Sequence, residues 1–394
     1  MLNRRLLRVK AMQSVYAYKQ SEESNYELAL DVIREKFAEE LSIVGNEHKE
    51  AFAEKEKLAI AYFDHNYKKG TTEVMNEQLG EDSIKAGAQA VKRYQELLLK
   101  DFESFKIKMV NDTEKIYVRY LRYFKYLFDL AELSKKELDL KIERGAANLE
   151  KETQLHNLIY RNEAIALLKK NTELKEELES YKLTGEADWQ QFKEWYVLLK
   201  KDNTFFENFQ GKEKSFENDR LILRYLIKDF FFKNEALISE FERQDLLWAE
   251  NRTIIRSMLL KTLKSLEEGV DSSAEILSIS RNWDEDKEFF LRLYEKTIND
   301  EEEYQEEVIK HSKKWASDRI AKVDQILINM AIAEMMSFPN IPVKVTINEF
   351  IEISKIYSTP KSWQFINGIL DSISNSMMKS GKIRKSGRGL IDNR

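Results

Sequence analysis

All three prolines of this 394-residue chain, Pro339, Pro342 and Pro360, fall within its last 60 residues, so nothing between Met1 and Phe338 is compelled to leave a helix. The glycines are few and scattered, as at Gly70, Gly80 and Gly145. That pattern suits single turns between helices and argues against the glycine-dense hairpins of a β fold. The expectation is an all-α chain. Its 34% charged residues are of both signs and interspersed, while 21 Phe, 17 Tyr and 6 Trp supply more apolar surface than a disordered chain carries. Long amphipathic helices with solvated charged faces fit this mixture, and the length allows two or three domains.

Chemistry is limited by what is missing. There is no cysteine, which removes disulfides, thiolate metal sites and a thiol nucleophile, and fits a reducing cytoplasm. His48, His65, His156 and His311 have no ligand spacing, and Gly211-Lys212 lacks the rest of a phosphate loop, so neither a catalytic centre, a metal nor a cofactor is expected. No apolar run of roughly 18 residues offers a membrane span, and Arg8 and Lys10 interrupt any signal-like start. The net charge of −5 is unevenly spread. Residues 1–22 hold five basic groups against Glu22, residues 379–394 hold six against Asp392, and the body between is strongly acidic. Two basic ends on an acidic body suit contact with a polyanion at a confined place.

The first helix is predicted from about Asn3 to Lys19, with Leu7, Ala11, Val15 and Tyr18 as its buried stripe and Gln20-Ser-Glu-Glu-Ser-Asn25 as the loop that ends it. Residues 26–110 carry a weaker apolar pattern. Tyr117, Tyr120, Leu121, Phe124, Leu127, Phe128 and Ala131 form a strong buried face. Phe216, Trp248 and Arg252 stand 67 residues before Trp283, Trp315 and Arg319, so 216–282 is read as a repeat of 283–349. Ile326, Leu327, Met330, Ala331, Ala333 and Met335 mark a helix apolar on nearly all sides, hence central. Thr346-Ile-Asn-Glu349 fits a capping box, and Thr359-Pro360 an N-cap followed by proline at the first helical position. Gly368, inside the last helix, suggests a close helix crossing there.

The segment Ile341-Pro-Val-Lys-Val-Thr-Ile-Asn-Glu-Phe-Ile-Glu-Ile-Ser-Lys355, followed by Phe365-Ile-Asn-Gly-Ile-Leu-Asp371, resembles the C-terminal signature of the NusB family. Arg319-Ile-Ala-Lys-Val-Asp324 and Ala331-Ile-Ala-Glu334 fit the same alignment, and Arg4-Arg-Leu-Leu-Arg8-Val-Lys-Ala11-Met-Gln13-Ser-Val-Tyr16 is similar to the family's first helix. Residues 1–24 and 284–376 carry the resemblance and would form a NusB-like helical bundle. Residues 25–283 would be a helical insertion, and 377–394 a flexible basic tail.

The resemblance implies a transcription antitermination factor that binds the boxA element of nascent ribosomal RNA jointly with the ribosomal protein NusE, within the RNA polymerase antitermination complex. It assigns RNA contacts to Arg4, Arg5, Arg8, Gln13 and Tyr16 on the first helix and to Lys361 and Phe365 at the start of the last, with Asp324 near the partner surface. Independently of any family, Arg4, Arg5 and Arg8 sit at a helix N-terminus, where the macrodipole disfavours cations by roughly 0.3–1 kcal/mol each, and a bound phosphate would reverse that sign. The competing reading is a helical protein–protein scaffold that keeps the fold without specific RNA binding.

Overall fold

The computed structural model describes residues 2–74, 79–185, 189–271, 273–312 and 320–393, and among them it contains sixteen α-helices and no strand. In chain order these are α1 (Arg4–Val44), α2 (Lys49–Asn66), α3 (Glu81–Glu143), α4 (Glu150–Leu155), α5 (Glu163–Lys170), α6 (Thr172–Ser180), α7 (Trp189–Lys200) and α8 (Asn203–Phe209). They are followed by α9 (Phe216–Tyr225), α10 (Glu235–Gln244), α11 (Trp248–Ser265), α12 (Trp283–Asn299), α13 (Glu301–His311), α14 (Lys322–Ser337), α15 (Val343–Tyr357) and α16 (Ser362–Lys379). The chain divides into two compact units. One comprises Asp112–Trp283 together with the extreme N-terminus, the other Asn3–Asn111 with Asp284–Arg394.

The first unit is built on aromatic packing. Tyr120, Leu121, Phe124, Leu127 and Ala131 of the predicted face are buried, and Tyr123 stacks on Phe232 with ring centroids 4.9 Å apart. Trp248 is buried in the same core and donates from Nε1 to the Tyr123 hydroxyl at 3.0 Å, so its one polar atom is satisfied. A structural repeat is not shown. The stretch after Phe216 is broken by a π turn at Leu226–Phe231, whereas α12 runs unbroken for 17 residues. The anchors Trp315 and Arg319 lie outside the described residues.

The second unit holds every residue singled out for function. Its first helix is more than twice the predicted length. Asn3 caps it by accepting from Leu6 N at 2.9 Å, and it then continues through the polar segment expected to end it. The hydroxyl of Ser21 bonds back to the Tyr18 carbonyl, and Lys19 pairs with Glu22 one turn on, so the polar groups serve the helix itself. Beyond them, Ala29, Leu30, Ile33 and Phe37 pack against Ala59 and Phe63 of α2 and Ala86, Ala90 and Val91 of α3. Tertiary burial of that apolar stripe, absent from a purely local reading, keeps the chain helical to Val44. At Gly87, α3 lies directly against α2. A Cβ there would stand 2.6 Å from Tyr62 Cδ1 and 2.8 Å from the Ala59 carbonyl oxygen. Gly87→Ala is expected to cost about 1–3 kcal/mol by overpacking, measured as a lower denaturant midpoint at unchanged m-value.

At the centre lies α14, with eleven of its sixteen residues buried, ten of them consecutive from Ile326 to Met335. It packs on α1, α13, α15 and α16. Three local expectations are corrected. The capping box is not formed: α15 starts at Val343 behind Pro342, and Thr346 is a buried residue of its interior whose hydroxyl donates to Glu334 Oε1 at 2.7 Å. Pro360 does not open α16 either. Thr359, Pro360, Lys361 and Ser362 form a turn in which Ser362 N donates to the Thr359 carbonyl at 3.1 Å, with Lys361 at φ 78° and ψ −8°. Those angles at the third position, after proline, are those of a type II turn. Gly368 has nothing within 4 Å of where a Cβ would stand, so no close crossing depends on it.

The basic C-terminal segment is ordered against the loop that ends α14, whereas a free tail was expected. Ile383 is buried, Ser386 N donates to the Pro339 carbonyl at 3.1 Å, and Lys385 Nζ donates to the Phe338 carbonyl at 3.0 Å. Burial holds the Lys385 ammonium pKa down at about 8.

Candidate nucleic-acid interface

Two ion contacts set the frame. Arg8 of α1 meets Glu334 near the end of α14, and Lys322 near the start of α14 donates to the Lys19 carbonyl of α1. The two helices are therefore antiparallel, and the unit has an arginine end and an Asp324 end, separated by roughly 15 Å for the ten residues from 324 to 334.

At the arginine end each of the three α1 arginines already has an acidic partner. Arg8 is 2% exposed, and its Nε and Nη2 bond both oxygens of the Glu334 carboxylate at 2.6 and 2.7 Å. Arg5 forms the same bidentate arrangement with Glu349 at 2.8 and 2.9 Å, holding that carboxyl below its usual range. Arg4 pairs with Glu285 and lies over the Phe289 ring, 5.0 Å from its centroid. The helix-terminus penalty that a phosphate was expected to relieve is thus relieved by carboxylates of the same unit. Arg8 is a core ion pair and offers no surface to RNA. Arg4 and Arg5 keep 40% and 43% of their side chains exposed.

The remaining predicted residues belong to the other end or to the level between. By the register of the antiparallel pair, Tyr16, 40% exposed, lies one turn before Lys19 and thus toward Asp324. Asp324 itself is 4% exposed and accepts the Ser358 hydroxyl, which ties the end of α15 to the start of α14. It orients the turn and is not an open contact for a partner. Lys361 is exposed at the mouth of α16, while Phe365 is half-buried and, like Gln13, engaged within the protein. The structure brings Asp324 to the turn that holds Lys361; it does not bring the arginines there.

Sequence reasoning missed Trp363 and Lys355. Trp363 is 37% exposed beside Lys361, and the Lys355 ammonium stands 5.5 Å from its ring centroid. The signal was obscured because Trp363 precedes Ile366, Leu370 and Ile373 at core spacing; its place in the first turn of the helix, beyond the reach of the core, distinguishes it. Among the described residues no cluster of acids and histidines could hold a metal, and no helix is long and apolar enough to cross a membrane.

An all-α domain wrapped around one apolar helix, presenting exposed cations and aromatics at a helix mouth, is the class that fold and site define. Residues 253–375 match the NusB family. Three similar proteins are each named transcription antitermination protein NusB. That of Salinibacter ruber is 36% identical over 146 residues, covering 36% of this chain and 91% of that protein. That of Chloroherpeton thalassium is 42% identical over 106 residues (27% and 50%), and that of Koribacter versatilis 38% over 94 residues (24% and 64%). No solved structure matches the chain. The chain belongs to the NusB family, whose factors are non-enzymatic.

Proposed function

We propose that this chain is a transcription antitermination factor that binds boxA-type single-stranded RNA jointly with the ribosomal protein NusE, as part of the RNA polymerase antitermination complex. The observation that carries the reading is the mouth of α16. There a lysine occupies a left-handed backbone position that glycine would adopt at less cost, next to an exposed tryptophan and a second lysine. Single-stranded RNA is held by stacking of bases on aromatic rings and by neutralisation of its phosphates, and this surface supplies both. Tyr16, toward the same end of the unit, is a second stacking surface, and Asp324 acts by fixing the turn. Of the arginines, Arg4 and Arg5 remain as flanking charges. The scaffold reading draws support from the pairing of Arg5 and Arg8 with Glu349 and Glu334, since those charges are satisfied without any ligand.

The test is a titration of a boxA-like RNA, with and without NusE, at two salt concentrations, on the intact chain and on Lys361→Glu. The proposal expects binding that NusE strengthens, that weakens with salt, and that Lys361→Glu reduces about tenfold or more. Equal, weak binding to any RNA, untouched by Lys361→Glu, would leave the scaffold reading in its place.

A further inference from the structure

We propose that a cavity of the second unit, walled by α1–α3 and α12–α14, binds a linear polyamine, with the hydroxyls of Tyr18 and Tyr94 as acceptors for one of its ammonium groups. This goes beyond RNA binding and does not depend on it. The cavity encloses about 860 Å³ and is lined by four tyrosines, Tyr18 and Tyr26 of α1, Tyr67 after α2 and Tyr94 of α3. Tyr67 lies edge-on to both Tyr26 and Tyr94, with ring centroids 5.2 Å apart in each pair. Glu22, Glu23, Glu27, Glu301 and Glu302 also line it, against Lys19, Lys68 and Lys322. Lys19 is shared between Glu22 and Glu301, Lys322 serves Glu23, and the Arg34 that meets Glu27 at 3.6 Å is held more closely by Asp31. Glu302 has no cationic partner among the described residues. A recess with this excess of negative charge attracts cations and repels phosphates.

Acids alone would be a solvated face; the two phenols single this cavity out. Tyr18 is 6% exposed and Tyr94 5% exposed, both line the cavity, and neither hydroxyl has a hydrogen-bond partner among the described residues. The buried phenols of Tyr120, Tyr123 and Tyr294 each have one. Burial and then Glu22 push the pKa of Tyr18 and Tyr94 up, so each stays a neutral hydroxyl able to accept an N–H. Burial also holds the Glu22 carboxyl above its usual range although Lys19 is bonded to it, so positive charge is short here. An alkylammonium chain answers all of these features. Its ammonium donates three hydrogen bonds and carries the missing charge, and its methylenes lie against tyrosine rings. Ammonium groups already stand near two of the rings, Lys19 at 5.7 Å from the Tyr18 centroid and Lys68 at 5.9 Å from that of Tyr67. The volume exceeds what one ammonium group fills, which points to a chain bearing more than one. A lysine side chain of another protein shares the chemistry, and the experiment separates the two. Tyr26, Tyr67 and Tyr94 lie outside residues 253–375 matched to the family, whereas Glu301 and Lys322 lie inside them, so the cavity is made jointly by the family domain and this chain's additional helices.

The full chain, Tyr18→Phe, Tyr94→Phe and Glu302→Gln are titrated calorimetrically with spermidine and with trilysine, in the absence of RNA, and melted with and without each ligand. Spermidine is expected to bind the unmodified chain and to raise its melting temperature. Each tyrosine variant should weaken spermidine about tenfold, because a hydrogen bond to a charged donor is lost, and Glu302→Gln should weaken it several-fold. Without ligand, Tyr18→Phe and Tyr94→Phe should melt no lower than the unmodified chain, since the hydroxyl removed bonds nothing in the protein. Absence of spermidine binding overturns the site. Binding unchanged in both tyrosine variants overturns it too, as diffuse attraction to an acidic surface. Trilysine bound in preference to spermidine, and lost in the same variants, overturns the polyamine and assigns the cavity to a protein lysine. None of these outcomes bears on RNA binding, which Lys361→Glu tests separately.

Discussion

Arg8→Ala should lower the unfolding free energy of the chain by about 3–5 kcal/mol, because it strands the Glu334 carboxylate in the core. Glu334 is fully buried on α14 between Ala333 and Met335, and its donors are the Arg8 guanidinium and the Thr346 hydroxyl. A single neutral hydroxyl cannot compensate a buried charge, so the carboxyl must take up a proton or the helix must shift to admit water. The pair is itself not a large source of stability, since both ions give up their hydration to form it. Arg8→Met combined with Glu334→Leu should therefore recover most of the loss, to within about 1 kcal/mol of the unmodified chain. Arg5→Ala provides the contrast: Arg5 and Glu349 pair near the surface, and the loss expected there is below about 1 kcal/mol and shrinks with salt. Denaturant melts of the three variants and the unmodified chain check the order. A single Arg8 variant as stable as the double one would refute the buried-charge account.

That pair also shows where a sequence stops being readable. The burial of α14 is local information, since residues apolar on every side of a helix can only be central, and the structure buries Ile326 to Met335 without a gap. Glu334 was visible as the one acid in that run, but its partner lies 326 residues away on α1. Read alone, Arg8 joins Arg4 and Arg5 in a basic cluster; only the antiparallel packing of α1 on α14 divides them into one core ion and two surface ones. Thr346-Ile-Asn-Glu349 failed for a related reason. A threonine and a glutamate three apart match the capping-box pattern equally well when each faces its own partner from the middle of a helix, and here Thr346 faces Glu334 and Glu349 faces Arg5. The polar run after Lys19 ended the predicted helix because it has no apolar stripe of its own. What carries the helix onward is Phe37 and Ile33 meeting Phe63 and Val91 of other helices. The identity of the α15 and α16 signature needed none of this, because its residues are contiguous and their order is itself the evidence.

Lys361→Gly should move stability and RNA binding in opposite directions. Lys361 sits at φ 78° in the third position of a type II turn, a conformation that costs a residue with a Cβ roughly 1–2 kcal/mol and glycine very little. Allowing for the greater freedom glycine loses on folding, the substitution is expected to leave stability unchanged or raise it by up to about 1 kcal/mol. The same change removes a cation from the mouth of α16, so RNA affinity should fall several-fold and the salt slope should drop by about one. Trp363→Ala isolates the stacking contribution: it should weaken RNA by about 1–3 kcal/mol, roughly 5- to 150-fold, with the salt slope nearly intact, because no charge is lost. A purely structural role for Lys361 predicts that stability and binding change together; a chain more stable and weaker in RNA binding is the outcome that only a ligand-facing lysine produces. Equal RNA affinity in Lys361→Gly and the unmodified chain would mean that the turn is strained for some other purpose.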